Sequence, residues 1–311
     1  MTTVCIASGK GGAGKTSFTS ALASSLVSSH PCIFADCDVD AANGAIALGA
    51  AVEISEPYFA GPGFVIDPAA CNGCGRCFTA CRFGAIKPVG NKREFRIVPE
   101  LCERCGACMD HCPIKAIGTY EKQAGVLLES GTSRGIQLVH ARLEPGEDTS
   151  GKLVNMVRRR ATKLASADSV ILVDAPPGIG CPVIASLTGA DLVVVVVEAS
   201  ASGIRDANRL ASLAASMKRR CVAVLNKTGL DDHMDEKARS MLADQGIPLA
   251  GEIPFDPRLR SAEEMDQTWA SIDCESSPGI KAALRAIISL ITSIRGKSRI
   301  EDGKPTASES V

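Results

Sequence analysis

Aromatic residues are scarce: 8 Phe, 2 Tyr and 1 Trp make up 4% of 311 residues. A core with so few rings must be filled by Ala, Val, Ile and Leu, as suits a sheet covered by helices. The same scarcity leaves no basic patch interleaved with aromatics, the usual platform for single-stranded nucleic acid. An excess of either charge is also missing, since 34 Lys and Arg meet 35 Asp and Glu for a net charge of -1. No overall field therefore draws the chain to nucleic acid or an anionic membrane, and neither partner is expected. Long apolar runs are absent too. The longest, Leu192 to Val197, is far below the roughly 20 residues of a membrane-spanning helix and reads as a buried strand. The opening stretch, Thr2 to Ala7, has neither the basic start nor the apolar length of a secretory signal, so a cytoplasmic location is expected.

Cysteine, by contrast, is plentiful. Eight of the 14 fall within 42 residues, in a module that repeats with a period of 31. Cys71, Cys74, Cys77 and Cys81 form C-x2-C-x2-C-x3-C, and Cys102, Cys105, Cys108 and Cys112 repeat it. Zinc usually takes two cysteine pairs separated by a longer spacer, so two unbroken runs of four argue against it. The runs resemble the bacterial two-cluster ferredoxin pattern, in which the fourth cysteine of each run serves the other cluster. That resemblance implies two [4Fe–4S] clusters, one on Cys71, Cys74, Cys77 and Cys112, the other on Cys102, Cys105, Cys108 and Cys81. Only the second run carries the pattern's proline, as Pro113; Arg82 stands in its place in the first. The two clusters are therefore not expected to be equivalent.

The second motif lies near the N-terminus. Gly9, Lys10, Gly11, Gly12, Ala13, Gly14, Lys15, Thr16 and Ser17 follow a short apolar strand, Val4 to Ala7, and precede helical spacing at Phe18, Leu22 and Leu26. They fit G-x-x-x-x-G-K-[ST], whose glycines let backbone N–H groups face phosphates while Lys15 neutralises the β and γ oxygens and Thr16 ligates Mg²⁺. The extra Lys10 makes the loop resemble the variant Walker A motif of the MinD/ParA/Mrp and nitrogenase-iron-protein superfamily. In that superfamily the added lysine reaches the nucleotide of the other subunit in an ATP-sandwiched homodimer, which is the role implied for Lys10. Asp38, after the strand Ile33 to Ala35, then takes the place of the carboxylate that orients the attacking water. Asp36 and Asp40 are close enough to compete for that role, or to cap a helix or contact Mg²⁺-bound water. Asp174, at the end of the strand Val170 to Val173, matches the second acidic motif and implies an Mg²⁺ contact. Asn226 with Lys227, and Pro254 within Ile253–Asp256, match the base-recognition segments. Cys181 lies seven residues beyond Asp174, the offset at which the nitrogenase iron protein places a cluster cysteine. It is either an inert thiol or one half of a site shared across the dimer.

Alternating strands and helices predict an α/β fold, a mostly parallel sheet flanked by helices of the P-loop type, interrupted by the ferredoxin-like insert. The expected division is 1–62 and 121–296 for the ATPase, 63–120 for the insert, and 297–311 as a disordered polar tail. Gly125 to Gly135 is expected to pair as extended strands, and Gly203 to Met217 to be helical. Arg158–Arg160 and Lys218–Arg220 read as solvated helix ends, and the apolar face from Ile280 to Ile294 as a helix packed on its own domain. Taken together, the motifs imply an ATP-hydrolysing iron–sulfur protein with a redox or metalloenzyme partner. A cluster carrier and a MinD/ParA-like spatial organiser are the alternatives.

Overall fold

The computed structural model describes residues 1–90, 94–147, 151–264 and 267–301. It divides into two compact units, one made of Met1–Ser55, Leu127–Arg142 and Thr149–Val311, the other of Glu56–Val126 and Leu143–Asp148. The expected 63–120 module lies within the second.

In the first unit, β1 (Thr2–Ala7) is buried throughout and leads through the glycine loop into α1 (Lys15–Leu26), which buries Phe18, Leu22 and Leu26. Next come β2 (Cys32–Asp36), also fully buried, and α2 (Gly44–Leu48). β3 (Ala51–Ile66) crosses into the second unit, which holds α3 (Arg76–Ala80), β4 (Ile86–Pro88), β5 (Phe95–Ile97) and α4 (Ala107–Asp110). β6 (Ile117–Gly131) returns the chain to the first unit, followed by β7 (Gln137–Leu143), α5 (Gly151–Leu164), β8 (Val170–Asp174) and α6 (Cys181–Leu187). β9 (Leu192–Glu198), α7 (Ala201–Ser216), β10 (Cys221–Thr228), α8 (Asp232–Asp244), β11 (Leu249–Pro254), α9 (Arg258–Glu264) and α10 (Ser277–Glu301) complete it.

Among the described residues the main sheet has nine strands in the order β11-β10-β9-β1-β8-β2-β7-β6-β3. Every pairing from β11 to β7 is parallel. The near-continuous Val, Ile and Leu runs of β8 and β9 are what strands buried on both faces require. Helix starts follow local chemistry: Ser200 Oγ accepts from the Gly203 N–H at 3.1 Å to open α7, and Asp231 caps α8 through the His233 and Met234 N–H groups. In a parallel sheet all strand C-termini share one edge, so the loops after β1, β2, β8, β9 and β10 are gathered there.

α10 is the one described helix whose length and composition would suit a membrane span, over Ser277–Gly296. Its stripe of Ile280, Ala283, Leu284, Ile287 and Ile291 is buried in the core with α1 and the sheet, matching the packed face expected from its spacing. The helix runs on to Glu301, into the stretch expected to be a disordered tail; helical hydrogen bonding carries over from the packed turns before it. Residues 302–311 of that tail lie outside the described residues.

The second unit preserves the 31-residue repeat in its backbone. Val98 N–H donates to Ala85 O at 2.7 Å and Asp67 N–H to Ala116 O at 2.8 Å, two bonds related by the repeat. Left-handed backbone recurs at matched positions: Gly73 with Arg104, Gly75 with Gly106 and Gly84 with Lys115. Glycine meets that requirement without strain at Gly75 and Gly106, the residues that open α3 and α4. Phe64, Ile66, Ile86 and Ile117 form the small core, with Phe95 and Ile97 against it.

Candidate functional site

The glycine loop sits at the C-terminal edge of the sheet. Gly14 adopts φ 92° at the start of α1, and a β-carbon there would meet Asn226 Nδ2 at 2.5 Å and the Trp269 ring at 2.9 Å. Gly9 faces a harder constraint, because a β-carbon would lie 2.2 Å from the Asp206 backbone. The loop encloses a cavity of about 920 Å³ with Gly11, Gly12, Gly14, Lys15, Thr16, Ser17, Asp38, Asn226 and Pro254 in its lining. Gly9, Lys10 and Ala13 do not line it.

Two acids lie beside Lys15, and a third stands behind them. Its Nζ is 3.7 Å from Asp38 Oδ2, and the lysine side chain is only 5% exposed. Thr16 Oγ1 donates to Asp174 Oδ2 at 2.5 Å, and Thr19 Oγ1 to Asp174 Oδ1 at 3.2 Å. Burial pushes the Asp174 carboxyl up to about 6 against the pull of Lys15. Burial likewise raises Asp38, opposed by Lys15. Asp36, directly beside Asp174 across the β2–β8 register, is raised well above the carboxylate range by burial and then by Asp174. Its two oxygens accept from the Asp38 N–H at 3.1 Å and the Gly44 N–H at 2.9 Å. Asp36 therefore holds the loop that carries Asp38 and caps α2, while Asp40 is exposed at the cavity rim.

Lys10 makes an ion pair within its own chain, to Glu198 Oε1 at 2.8 Å. Lys227 Nζ lies 2.8 Å from Glu198 Oε2 and donates to Gly12 O at 2.9 Å. Burial favours a raised Glu198 pKa, but hydrogen bonds from Lys10 and Lys227 outweigh it and hold the carboxyl down to about 2. Asn226 Nδ2 donates to Ala13 O at 2.9 Å, tying β10 to the loop. Sequence reasoning missed Glu198 and Trp269. Glu198 ends a strand at the ligand-bearing edge of a parallel sheet, a placement that could have identified it. Trp269, the single tryptophan, lines the cavity from a segment that carries no motif.

The eight module cysteines fall into two sets. Cys71, Cys74, Cys77 and Cys112 line one small cavity, and Cys81, Cys102, Cys105 and Cys108 line another. Each set draws three thiols from one repeat and the fourth from the other. The Ala116 N–H donates to Cys112 Sγ at 3.2 Å, the kind of bond that steadies a thiolate ligand. Among the described residues, no three His, Cys, Asp or Glu side chains converge as they would on a single metal ion. Thiols spread around a cavity fit a multi-iron cluster, whose iron atoms each take one cysteine.

Cys181 is exposed and belongs to neither set; its neighbours Gly180 and Pro182 line the loop cavity. Cys5 and Cys32 are buried thiols pushed up to about 12 by desolvation. Of the basic runs, Arg158 donates to Ala185 O at 2.6 Å and Arg219 to Met217 O at 2.9 Å, so these guanidiniums are spent on backbone carbonyls.

A parallel sheet with a glycine loop between its first strand and helix, and buried acids ending β2 and β8, defines a P-loop nucleotide-binding protein. The CobQ/CobB/MinD/ParA nucleotide-binding domain model matches residues 4–269, and the chain belongs to that family. An uncharacterised protein of Methanocaldococcus jannaschii, MJ0578, is 33% identical over 230 residues, covering 74% of this chain and 79% of that one. A second from the same organism, MJ0579, is 27% identical over 234 residues, covering 75% and 82%. Among solved structures, the septum site-determining protein MinD of Pyrococcus horikoshii, complexed with Mg-ADP, superposes with a TM-score of 0.59 at 16% identity, covering 94% of this chain and 98% of that one. The MinD cell division protein of Aquifex aeolicus gives 0.54 at 19% identity, covering 93% and 98%.

Proposed function

We propose that this chain is an ATP-hydrolysing iron–sulfur protein that couples nucleotide-driven homodimerisation to electron transfer or metallocluster maturation in the cytoplasm. The observation that carries the reading is the pair of four-thiol cavities, each completed by a cysteine of the other repeat, in a chain that also has a cavity lined by a phosphate loop. The two sets of four cysteines would each hold a [4Fe–4S] cluster, which supplies one-electron redox chemistry when bound. The module is read as a ferredoxin-type insert within the ATPase.

In the ATPase, backbone N–H groups of Gly11, Gly12 and Gly14 cradle the phosphates, and Lys15 offsets charge on the β and γ oxygens. Thr16, with Asp174 behind it, fits an Mg²⁺ site, the ion serving to neutralise phosphate charge when bound. Asp38, held by Asp36 through the backbone, orients the attacking water. Asn226 and Pro254 face the base. Lys10 leaves Glu198 to reach the nucleotide of the partner subunit, so closing the dimer exchanges an internal ion pair for an intermolecular one. Cys181, exposed next to residues that line the cavity, is read as one half of a site that two copies share. A spatial-organiser reading draws on likeness of fold and gives the eight thiols a structural or sensory role.

Anaerobic purification tests the reading directly. Protein with about eight iron and eight sulfide per chain, hydrolysing ATP in an Mg²⁺-dependent reaction, supports it. Zinc bound at the thiols, or no iron after reconstitution, overturns it.

A further inference from the structure

The repeat permits a comparison between each surface position of one half of the module and its counterpart 31 residues away. Phe83 and Ile114 are such counterparts. Each lines the thiol cavity on its own side, and they are 50% and 42% exposed, so each cavity has one exposed large apolar side chain in its lining. The charges around them differ. Residues 71–98 hold six Lys and Arg against the single acid Glu94, whereas 102–129 hold three against four acids. Arg82 stands where the other copy has Pro113, and Lys87 where it has Gly118.

Lys87 and Arg96 lie directly opposite one another in the β4–β5 pair. Alternation along the strands puts these two side chains on one face and turns Ile86 and Ile97 towards the thiols. Like charges facing each other across an antiparallel pair are destabilising. Arg82, Lys87 and Arg96 are all exposed, and none has an ion-pair partner among the described residues. The Lys87 ammonium sits over the Arg82–Phe83–Gly84 loop, 3.8 Å from where a β-carbon on Gly84 would be. Glu103 lines the cavity beneath, where Arg104 of the same lining is paired with Glu147.

We infer that Arg82, next to Phe83 in the chain, and Lys87 and Arg96, on the outward face of the strand pair whose Ile86 and Ile97 line the Cys81/Cys102/Cys105/Cys108 cavity, form a docking face for an acidic one-electron carrier protein. The inference rests on the cluster reading above and adds which cluster is addressed and by what kind of partner. A carboxylate-rich surface relieves the like-charge pairing, and Phe83 supplies the desolvated centre that a docking patch needs. Arg82, the departure from the ferredoxin proline, gains a purpose: it adds a cation at the rim of the cavity reached by Cys81.

The test uses anaerobically reconstituted protein and, as probe, a plant-type [2Fe–2S] ferredoxin, an acidic carrier. Its dissociation constant is measured between about 20 and 200 mM salt, a range over which screening of exposed charges becomes strong. Wild-type protein is expected to bind with an affinity that falls as salt rises. The Arg82→Gln/Lys87→Gln/Arg96→Gln variant is expected to bind at least about tenfold more weakly at low salt, with iron content unchanged. Lys115→Gln, which removes an exposed cation of the other repeat, stays within about twofold. Because Lys87→Gln/Arg96→Gln removes only a repulsion, its melting temperature should equal or exceed that of wild type, which separates docking from misfolding. Unchanged affinity in the triple variant, at full iron content, overturns this inference alone. Wild-type protein without iron overturns the reading it rests on. Equally tight, patch-dependent binding of duplex DNA or anionic vesicles overturns the assignment to an acidic protein.

Discussion

Replacing Lys15 by alanine is expected to reduce ATP hydrolysis at least about a hundredfold, the scale on which loss of one preorganised charge slows such chemistry. Lys15 is almost fully buried, 3.7 Å from Asp38, and the Asp174 carboxylate depends on its charge as well. Its removal leaves Asp38 and Asp174 without that cation in the pocket proposed to bind the phosphates. Nucleotide binding and turnover should therefore fall together, whereas Asp38→Ala should spare binding and lose turnover. Steady-state hydrolysis with nucleotide titrations checks both. Hydrolysis by Lys15→Ala within about tenfold of wild type would remove the loop from the mechanism.

The second large effect concerns the crossed cysteines. Cys112→Ser is expected to lose about four of about eight iron atoms. The identity of the lost cluster is the sharper outcome. Because Cys112 lines the cavity of Cys71, Cys74 and Cys77, the Cys71→Ser/Cys112→Ser double variant should lose the same four atoms and no more. Cys102→Ser/Cys112→Ser should lose about eight, since those thiols line different cavities. Iron analysis of the three proteins distinguishes crossed from uncrossed ligation, as ligation within each repeat predicts the reverse pair of results.

Much of this arrangement was legible in the residues because both motifs are local. The phosphate loop is one unbroken stretch between a strand and a helix, and the buried runs that became β8 and β9 need no distant context to be recognised. The thiol sets were anticipated through the resemblance to two-cluster ferredoxins, which implies that Cys112 joins the first run, and the two cavities group the thiols in that way. β3 was not. Glu53, Glu56, Pro57, Gly61, Pro62 and Gly63 give its 16 residues the look of a linker, because proline and glycine usually weaken or bound a strand. The Lys10–Glu198 pair was equally hidden, joining residues 188 positions apart that meet only at the common edge of the parallel sheet. The basic face of the module required both levels: the repeat identifies counterparts, but only the β4–β5 register places Lys87 against Arg96.

The central claim is that nucleotide state and cluster chemistry are coupled within one chain. An anaerobic redox titration followed by EPR, on protein with both clusters present, measures this with and without MgATP. The account predicts that MgATP moves at least one midpoint potential by about 59 mV or more, a tenfold change in the one-electron equilibrium. Potentials that coincide in the two conditions, with ATP shown to be bound, would contradict it.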